Sequence, residues 1–386
     1  MTKKNELPFG SIIGILGGGQ LGRMLSLSAS QLGFKTHIYD PDINAPAKQV
    51  TNLSSTFEYD DFKNLENFAN KVDVITYEFE NIPLETIKFC QNLKSVYPNY
   101  KSLGICQDRI TEKNFLKSIG VETVKFEMAS SYEEIKIAIE NIGLPVVIKT
   151  SRFGYDGKGQ KVIYKKEEIE KIVSEFIDVQ VVIEKFIEFE LEISVIICRD
   201  MSGKISAYDP SENIHKNGIL VESKVPANIS FSTSSDAIII ASKIVRSLNY
   251  VGVMGIEFFI TKAKKILVNE MAPRVHNSGH WTQTGCIISQ FEQHIRAILG
   301  LPLGEAKNKI SGVMVNLVGE KQNNGPVKFS NIDQIMTIEG VTPHIYGKKE
   351  TRPNRKMGHV TIVNEKIENA IKIAKKVKET IKVISK

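Results

Sequence analysis

The sequence predicts an α/β opening followed by an α+β remainder, divided into domains at 1–107, 108–300 and 301–386. Three observations lead to this. The chain begins with an apolar run, a glycine-rich turn and an amphipathic segment, the order in which a βαβ unit starts. Short apolar strands dominate from 181 to 270. At 386 residues the chain is long enough for two or three domains that each bury a core.

In chain order, residues 12–16 (IIGIL) read as a buried strand, about 21–32 as a helix and 34–39 as a second strand. Apolar strands at 72–76 and 95–97 extend the pattern until Pro98 and Gly104 interrupt it. A helix at 108–119, a strand at 121–127, a further helix and an apolar strand at 145–149 lead into the loop SRFGYDGKGQ. The runs 253–260 and 265–270 flank TKAK and form a hairpin. A helix at 289–299 precedes Gly300 and Pro302, a boundary, and strands follow at 312–318 and 358–363. The last helix places Ile367, Ile371, Ala374, Val377 and Ile381 on one face, with lysines opposite.

Fifty basic against forty-four acidic residues give a net charge of +6, which suits an anionic ligand and is too dispersed to argue for nucleic acid. Cys90, Cys106, Cys198 and Cys286 have no C-x-x-C spacing, so neither a zinc site nor a disulfide framework is indicated. The apolar run at 12–16 is too short for a signal or membrane helix, and a soluble cytoplasmic protein is expected.

Gly17-Gly-Gly-Gln20-Leu21-Gly22 fits G-x-G-x-x-G after a strand, with Asp40 ending the next strand. Alone, it fits either a dinucleotide oxidoreductase or a tight strand-to-helix turn. Lys149 ends an apolar strand just before Gly154, Tyr155, Asp156, Gly157, Lys158, Gly159 and Gln160. Free amides and positive charge suit a lid over a polyphosphate, although the loop is not a Walker A motif. Glu184, Lys185, Phe186 and Ile187 run from a strand into a connector whose main chain could hydrogen-bond an adenine, and Glu192 could take ribose hydroxyls. In the hairpin, a turn centred between Ala263 and Lys264 makes Glu257 the antiparallel partner of Glu270. Like charges opposite each other are destabilising unless a cation neutralises them, and oxygen-only ligands favour magnesium or manganese. Asn269 joins this site only if the strand bends there. The stretch 271–283, with Arg274, His276, Asn277 and the only Trp of the chain, is too polar for a core. Lys348, Arg352, Arg355 and Lys356 gather cations in a turn-rich segment suited to phosphate.

GILGGGQLGRM, DPDINAPA, TYEFENIP, GYDGKGQ, NEMAPRVHNSGHWTQ and RPNRKMGH, in this order, closely resemble the 5-(carboxyamino)imidazole ribonucleotide synthase family, ATP-grasp enzymes of purine biosynthesis. The resemblance covers nearly the whole chain. It implies a pre-ATP-grasp Rossmann-like domain, an ATP-grasp domain and a small C-terminal domain, usually in a homodimer. It implies that ATP converts bicarbonate to carboxyphosphate, whose carbon the amine of 5-aminoimidazole ribonucleotide captures, directly or as carbon dioxide. By motif, it implies ATP contacts from Arg109, Lys149, the 154–160 loop, Glu184 to Ile187, Glu192, His215, Asn269 and Glu270, with magnesium on Glu257 and Glu270. Gln20, Leu21, Glu78, Tyr155, Asn277, Lys348, Arg355 and Lys356 then hold the ribonucleotide, and the first glycine loop serves this substrate instead of NAD. On that reading Lys149 and Lys158 offset charge on the γ-phosphoryl group, Arg274 and His276 suit carboxyphosphate, and Asp156 is the candidate proton acceptor. A formate-dependent glycinamide ribonucleotide transformylase, a biotin carboxylase and a dehydrogenase remain as rivals.

Overall fold

The computed structural model describes residues 6–152, 154, 159–177 and 179–386. The opening βαβ expectation holds. Four parallel strands lie in the order Leu53–Ser55, Lys35–Tyr39, Ile12–Leu16 and Val74–Tyr77, and Gln20–Gln31 is the first helix. The strand expected at 95–97 shrinks to one parallel bridge between Ile75 and Val96, because Pro98 has no N–H to continue the ladder.

Helix Arg109–Ser118 starts on an Asp108 cap whose carboxylate accepts the Ile110 and Thr111 amides, both at 3.0 Å. The strand expected at 121–127 starts later, at Phe126–Ala129, and Thr123 makes only an isolated bridge to Val268. Phe126–Ala129 joins a four-stranded antiparallel sheet with Val181–Lys185, Val146–Thr150 and Gln160–Ile163, which has its own core of Ile139, Ile148, Val173 and Ile183.

The expected boundary at 300 has no counterpart in the largest sheet. Nine strands run continuously from the hairpin Gly252–Thr261 and Ile266–Ala272 through Phe189–Arg199, Ser211–Lys216 and Ile219–Val225 into Ser311–Val318, Lys356–Asn364 and Val341–Ile345, with Ile205–Ala207 paired on one side. Ile13 and Leu25 from the first domain share one core with Ile196, Trp281 and Phe291 and with Met314 and Tyr346, so the stretch 271–283, expected to be too polar for a core, packs into one with His280 and Thr282 hydrogen-bonded. The final helix, Ile367–Thr380, buries Ala370, Ala374 and Val377, whereas Ile371 is 38% exposed. Counting Ile371 into the stripe turned it about 100° away from the face that Ala370 occupies.

Candidate active site

The hairpin supplies the first part of the site. Glu257 is the register partner of Glu270, and a bulge follows at once, since Phe258 pairs with Val268 and leaves Asn269 as the extra residue. That bulge is the bend Asn269 required, and its buried Oδ1 has no hydrogen-bond partner. Burial, then the Glu270 charge, pushes the Glu257 carboxyl up to about 7, the direction expected for a buried carboxylate opposite another. Arg109 Nη1 lies 3.2 Å from Glu270 Oε2. His215 Nδ1 meets Glu192 Oε2 at 2.6 Å. Burial alone would lower the pKa of this imidazole, but the Glu192 hydrogen bond, with the Glu257 and Glu270 charges, outweighs burial and raises it.

The Glu184 side chain is engaged within the protein. Its carboxylate is buried, bridging Lys149 Nζ at 2.7 Å and Lys113 Nζ at 2.8 Å. Burial opposes the charge, yet the two ammonium groups hold the carboxyl down at about 2. The side chain therefore anchors Lys149, and the adenine contact expected of this segment is one of its main chain. Lys185 and Phe186 are also engaged: Lys185 Nζ donates to Gly143 O at 2.8 Å, and the Phe186 amide donates to Pro145 O at 3.1 Å. Gly154, Gly159 and Gln160 are described, and the strand Gln160–Ile163 pairs with Val146–Thr150. Tyr155, Asp156, Gly157 and Lys158 lie outside the described residues.

The first glycine loop is filled by its own chain. Glu78, 7% exposed, accepts the Gly19 amide through Oε1 and the Gly22 amide through Oε2, the latter at 2.6 Å. Asp40 Oδ2 accepts the Gly18 amide at 2.7 Å and the Tyr59 hydroxyl at 3.0 Å. A carboxylate thus occupies the helix N-terminus where a dinucleotide pyrophosphate would sit, and the expected ribose acid is spent on the loop itself. Leu21 packs in the core, so only its main chain can reach a ligand; Gln20 beside it is half-buried.

Facing Glu78 is Lys348, one of a group of cations from the last third of the chain. Lys348 Nζ donates to Lys356 O at 2.7 Å and stands 5.7 Å from the Tyr346 ring centroid. Burial, then the Arg355 charge, pushes the Lys348 ammonium down to about 8, with Glu78 pulling the other way. Arg355 Nη1 donates to Glu350 O at 2.7 Å. Asn277 and Asn316 exchange side-chain hydrogen bonds of 3.1 and 2.8 Å.

Between these halves lie Arg274 and His276. Arg274 is bidentate on Glu80, with Nη2 to Oε1 at 2.7 Å and Nε to Oε2. Burial, followed by the Arg274 charge, pushes His276 down to about 3, so it acts as a neutral hydrogen-bonding group and not as a cation. Its Nδ1 contacts Ser278 Oγ at 2.8 Å, and Nε2 lies 3.7 Å from Glu257 Oε1. The sequence reading missed Glu80, Lys113 and Asn316. Glu80 stands in the quoted TYEFENIP run, which is the only signal that could have marked it.

Three family models cover most of the chain: a ribonucleotide synthetase preATP-grasp domain at 11–107, an ATP-grasp domain at 114–291 and a phosphoribosylaminoimidazole carboxylase C-terminal domain at 312–373. The N5-carboxyaminoimidazole ribonucleotide synthase of Brucella melitensis is 44% identical over 93% of this chain and 98% of its own. An N5-carboxyaminoimidazole ribonucleotide synthetase solved as its ADP complex superposes with a TM-score of 0.92 at 39% identity, covering 97% of this chain and 98% of that one. The Aspergillus clavatus enzyme, solved with ADP and 5-aminoimidazole ribonucleotide, gives 0.86 at 26% identity over 95% and 99%. With this likeness spanning all three parts, the chain belongs to the N5-carboxyaminoimidazole ribonucleotide synthase family of ATP-grasp ligases.

Proposed function

We propose that this site carries out the ATP-dependent carboxylation of 5-aminoimidazole ribonucleotide with bicarbonate. The γ-phosphoryl group passes to a bicarbonate oxygen, giving carboxyphosphate and ADP. The exocyclic amine then bonds to the carboxyl carbon, phosphate leaves, and the nitrogen gives up a proton to become a carbamate. The observation that carries this reading is the division of charge within one site. Glu257, Glu270, Arg109 and Lys149 suit a polyphosphate at one end, and Lys348, which faces Glu78 and feels the Arg355 and Lys356 charges, suits a phosphorylated sugar at the other. Arg274 feels the charges of both Glu270 and Glu78, which supports a role for it on a short-lived carboxyphosphate between the two ends.

Magnesium, or manganese, fits the hairpin. The donors are all oxygens, the two carboxylates are opposed, and Asn269 Oδ1 is buried without a partner. Among the described residues no three carboxylate, imidazole or thiol groups could hold a metal by themselves, and Glu257 and Glu270 would share it with nucleotide phosphates. When bound, the metal neutralises charge on the transferring phosphoryl group. Around it, Arg109 and Lys149 bind phosphate oxygens, Glu184 fixes Lys149, and the Glu192 and His215 pair lies in reach of the ribose. Asp156 and Lys158 keep the roles of proton acceptor and phosphate ligand that the resemblance implies. A cytoplasmic homodimer without membrane or nucleic-acid partners completes the proposal. Among the described residues no helix is long and apolar enough to cross a membrane.

The test is the substrate dependence of ATP cleavage. With Mg-ATP, ADP release should be fastest when 5-aminoimidazole ribonucleotide and bicarbonate are both present, and formate should not replace bicarbonate. Stimulation by glycinamide ribonucleotide with formate, or by biotin, would move the assignment to another ATP-grasp activity. Tight NAD binding without any stimulation would overturn it.

A further inference from the structure

We infer that Glu80 is a positioning residue for the carboxyphosphate step, acting across the domain seam by fixing the Arg274 guanidinium. The inference rests on the reading of Arg274 given above. Glu80 follows the strand Val74–Tyr77 of the first domain, 194 residues before Arg274, yet its two oxygens take Nε and Nη2 of that arginine. Arg274 Nη1 donates to Val275 O at 3.1 Å, so all three guanidinium nitrogens are engaged. Glu80 is itself held: Gln107 Nε2 donates to Glu80 O at 2.8 Å and to Ile82 O at 2.6 Å. The Gln107 Oε1 accepts from Arg152 Nη2 at 3.1 Å, which ties the same point to the start of the glycine-rich loop.

The two acids of this segment have different tasks. Glu78 fills the glycine loop on the ribonucleotide side, and Glu80, two residues on, reaches the central domain. A planar fork bonded edge to edge with a carboxylate cannot rotate without losing two charge-assisted bonds, so Glu80 sets the plane in which Arg274 meets an anion. Burial works against the Glu80 charge, but Arg274 outweighs it and holds the carboxyl at about 2, so the pair stays ionised throughout the working pH range.

If Glu80 positions Arg274, its loss lets carboxyphosphate fall to water before the amine captures it. The readout is ADP formed per 5-aminoimidazole ribonucleotide consumed, a ratio expected to be one in the wild type by the stoichiometry of the proposed reaction. Glu80→Gln should raise that ratio several-fold and lower kcat about tenfold or more while the KM for ATP stays within about twofold, with Glu80→Asp recovering part of the coupling. On an Arg274→Lys background, which should itself be uncoupled, Glu80→Gln should add little. An unchanged ratio in Glu80→Gln, with kcat intact or with all parameters and the melting temperature falling together, overturns the positioning role. If Glu80→Gln does not fold, full coupling in a folded Glu80→Asp overturns it instead. Full coupling in Arg274→Lys alone would sink the Arg274 assignment, a failure distinguishable from that of Glu80.

Discussion

Lys348 states the residue-scale case most sharply. Its ammonium is held down at about 8 by burial and then by Arg355, a cost that the folded protein bears until an anion arrives. A depressed lysine disfavours the proton in the folded state, so the ligand-free protein should gain stability as pH rises through about 8 toward the ordinary lysine range. A bound phosphate reverses the sign: it stabilises the ammonium, so complex formation near pH 8 should take up a proton, and ribonucleotide affinity should weaken above that pH. Calorimetric titration of 5-aminoimidazole ribonucleotide at pH 8 in buffers of different ionisation enthalpy measures the uptake. Binding heats that do not depend on the buffer would remove Lys348 from the anion site. The sequence showed that cations gather here, since Lys348, Arg352, Arg355 and Lys356 are close in the chain. It did not show Glu80 or Lys113, whose partners Arg274 and Glu184 lie 194 and 71 residues away and are found only by the fold.

At the scale of the element, local chemistry separates what was legible from what was not. The Glu257 and Glu270 register could be read because a short turn fixes antiparallel pairing, and even the bend at Asn269 was foreseeable as a condition. The glycine loop was ambiguous because its fingerprint describes backbone geometry and not the anion that backbone holds. Its occupant, Glu78, lies just past the end of the strand Val74–Tyr77, 56 residues beyond Gly22. This gives a specific expectation for Gly19, whose φ of −74° is open to any residue but where a Cβ would collide with Glu78 Oε1. Gly19→Ala should displace Glu78 and raise the ribonucleotide KM about tenfold or more, leaving the KM for ATP within about twofold. Steady-state kinetics on each substrate decide it, and an ATP-side defect would show that the loop serves the nucleotide.

For the whole molecule, the question is whether the boundary drawn at 300 separates parts that fold alone. The glycine and proline there mark the end of a helix, a local signal that carries no information about strand pairing across it. His294 accepts the Val253 amide at Nδ1 (3.1 Å), which leaves Nε2–H to donate to Thr76 Oγ1 at 2.8 Å and ties the first domain to the hairpin strand. Beyond 300 the dependence is stronger. Glu222, Ser223, Lys224 and Val225 pair with Val315, Met314, Val313 and Gly312, so cutting the chain at 300 exposes a bare interior edge. The same cut removes Met314 and Tyr346 from the shared core and takes Lys378 from Glu222, a carboxylate 3% exposed. A 1–300 fragment should therefore lack the cooperative melt of the full chain and tend to aggregate through that edge. The loss of Lys348 and Arg355 would abolish activity in any case, so the melt, followed by circular dichroism and calorimetry, is the readout. A fragment that melts cooperatively within a few degrees of the full chain would show that the central domain carries its own fold and that the continuous sheet is a docking seam.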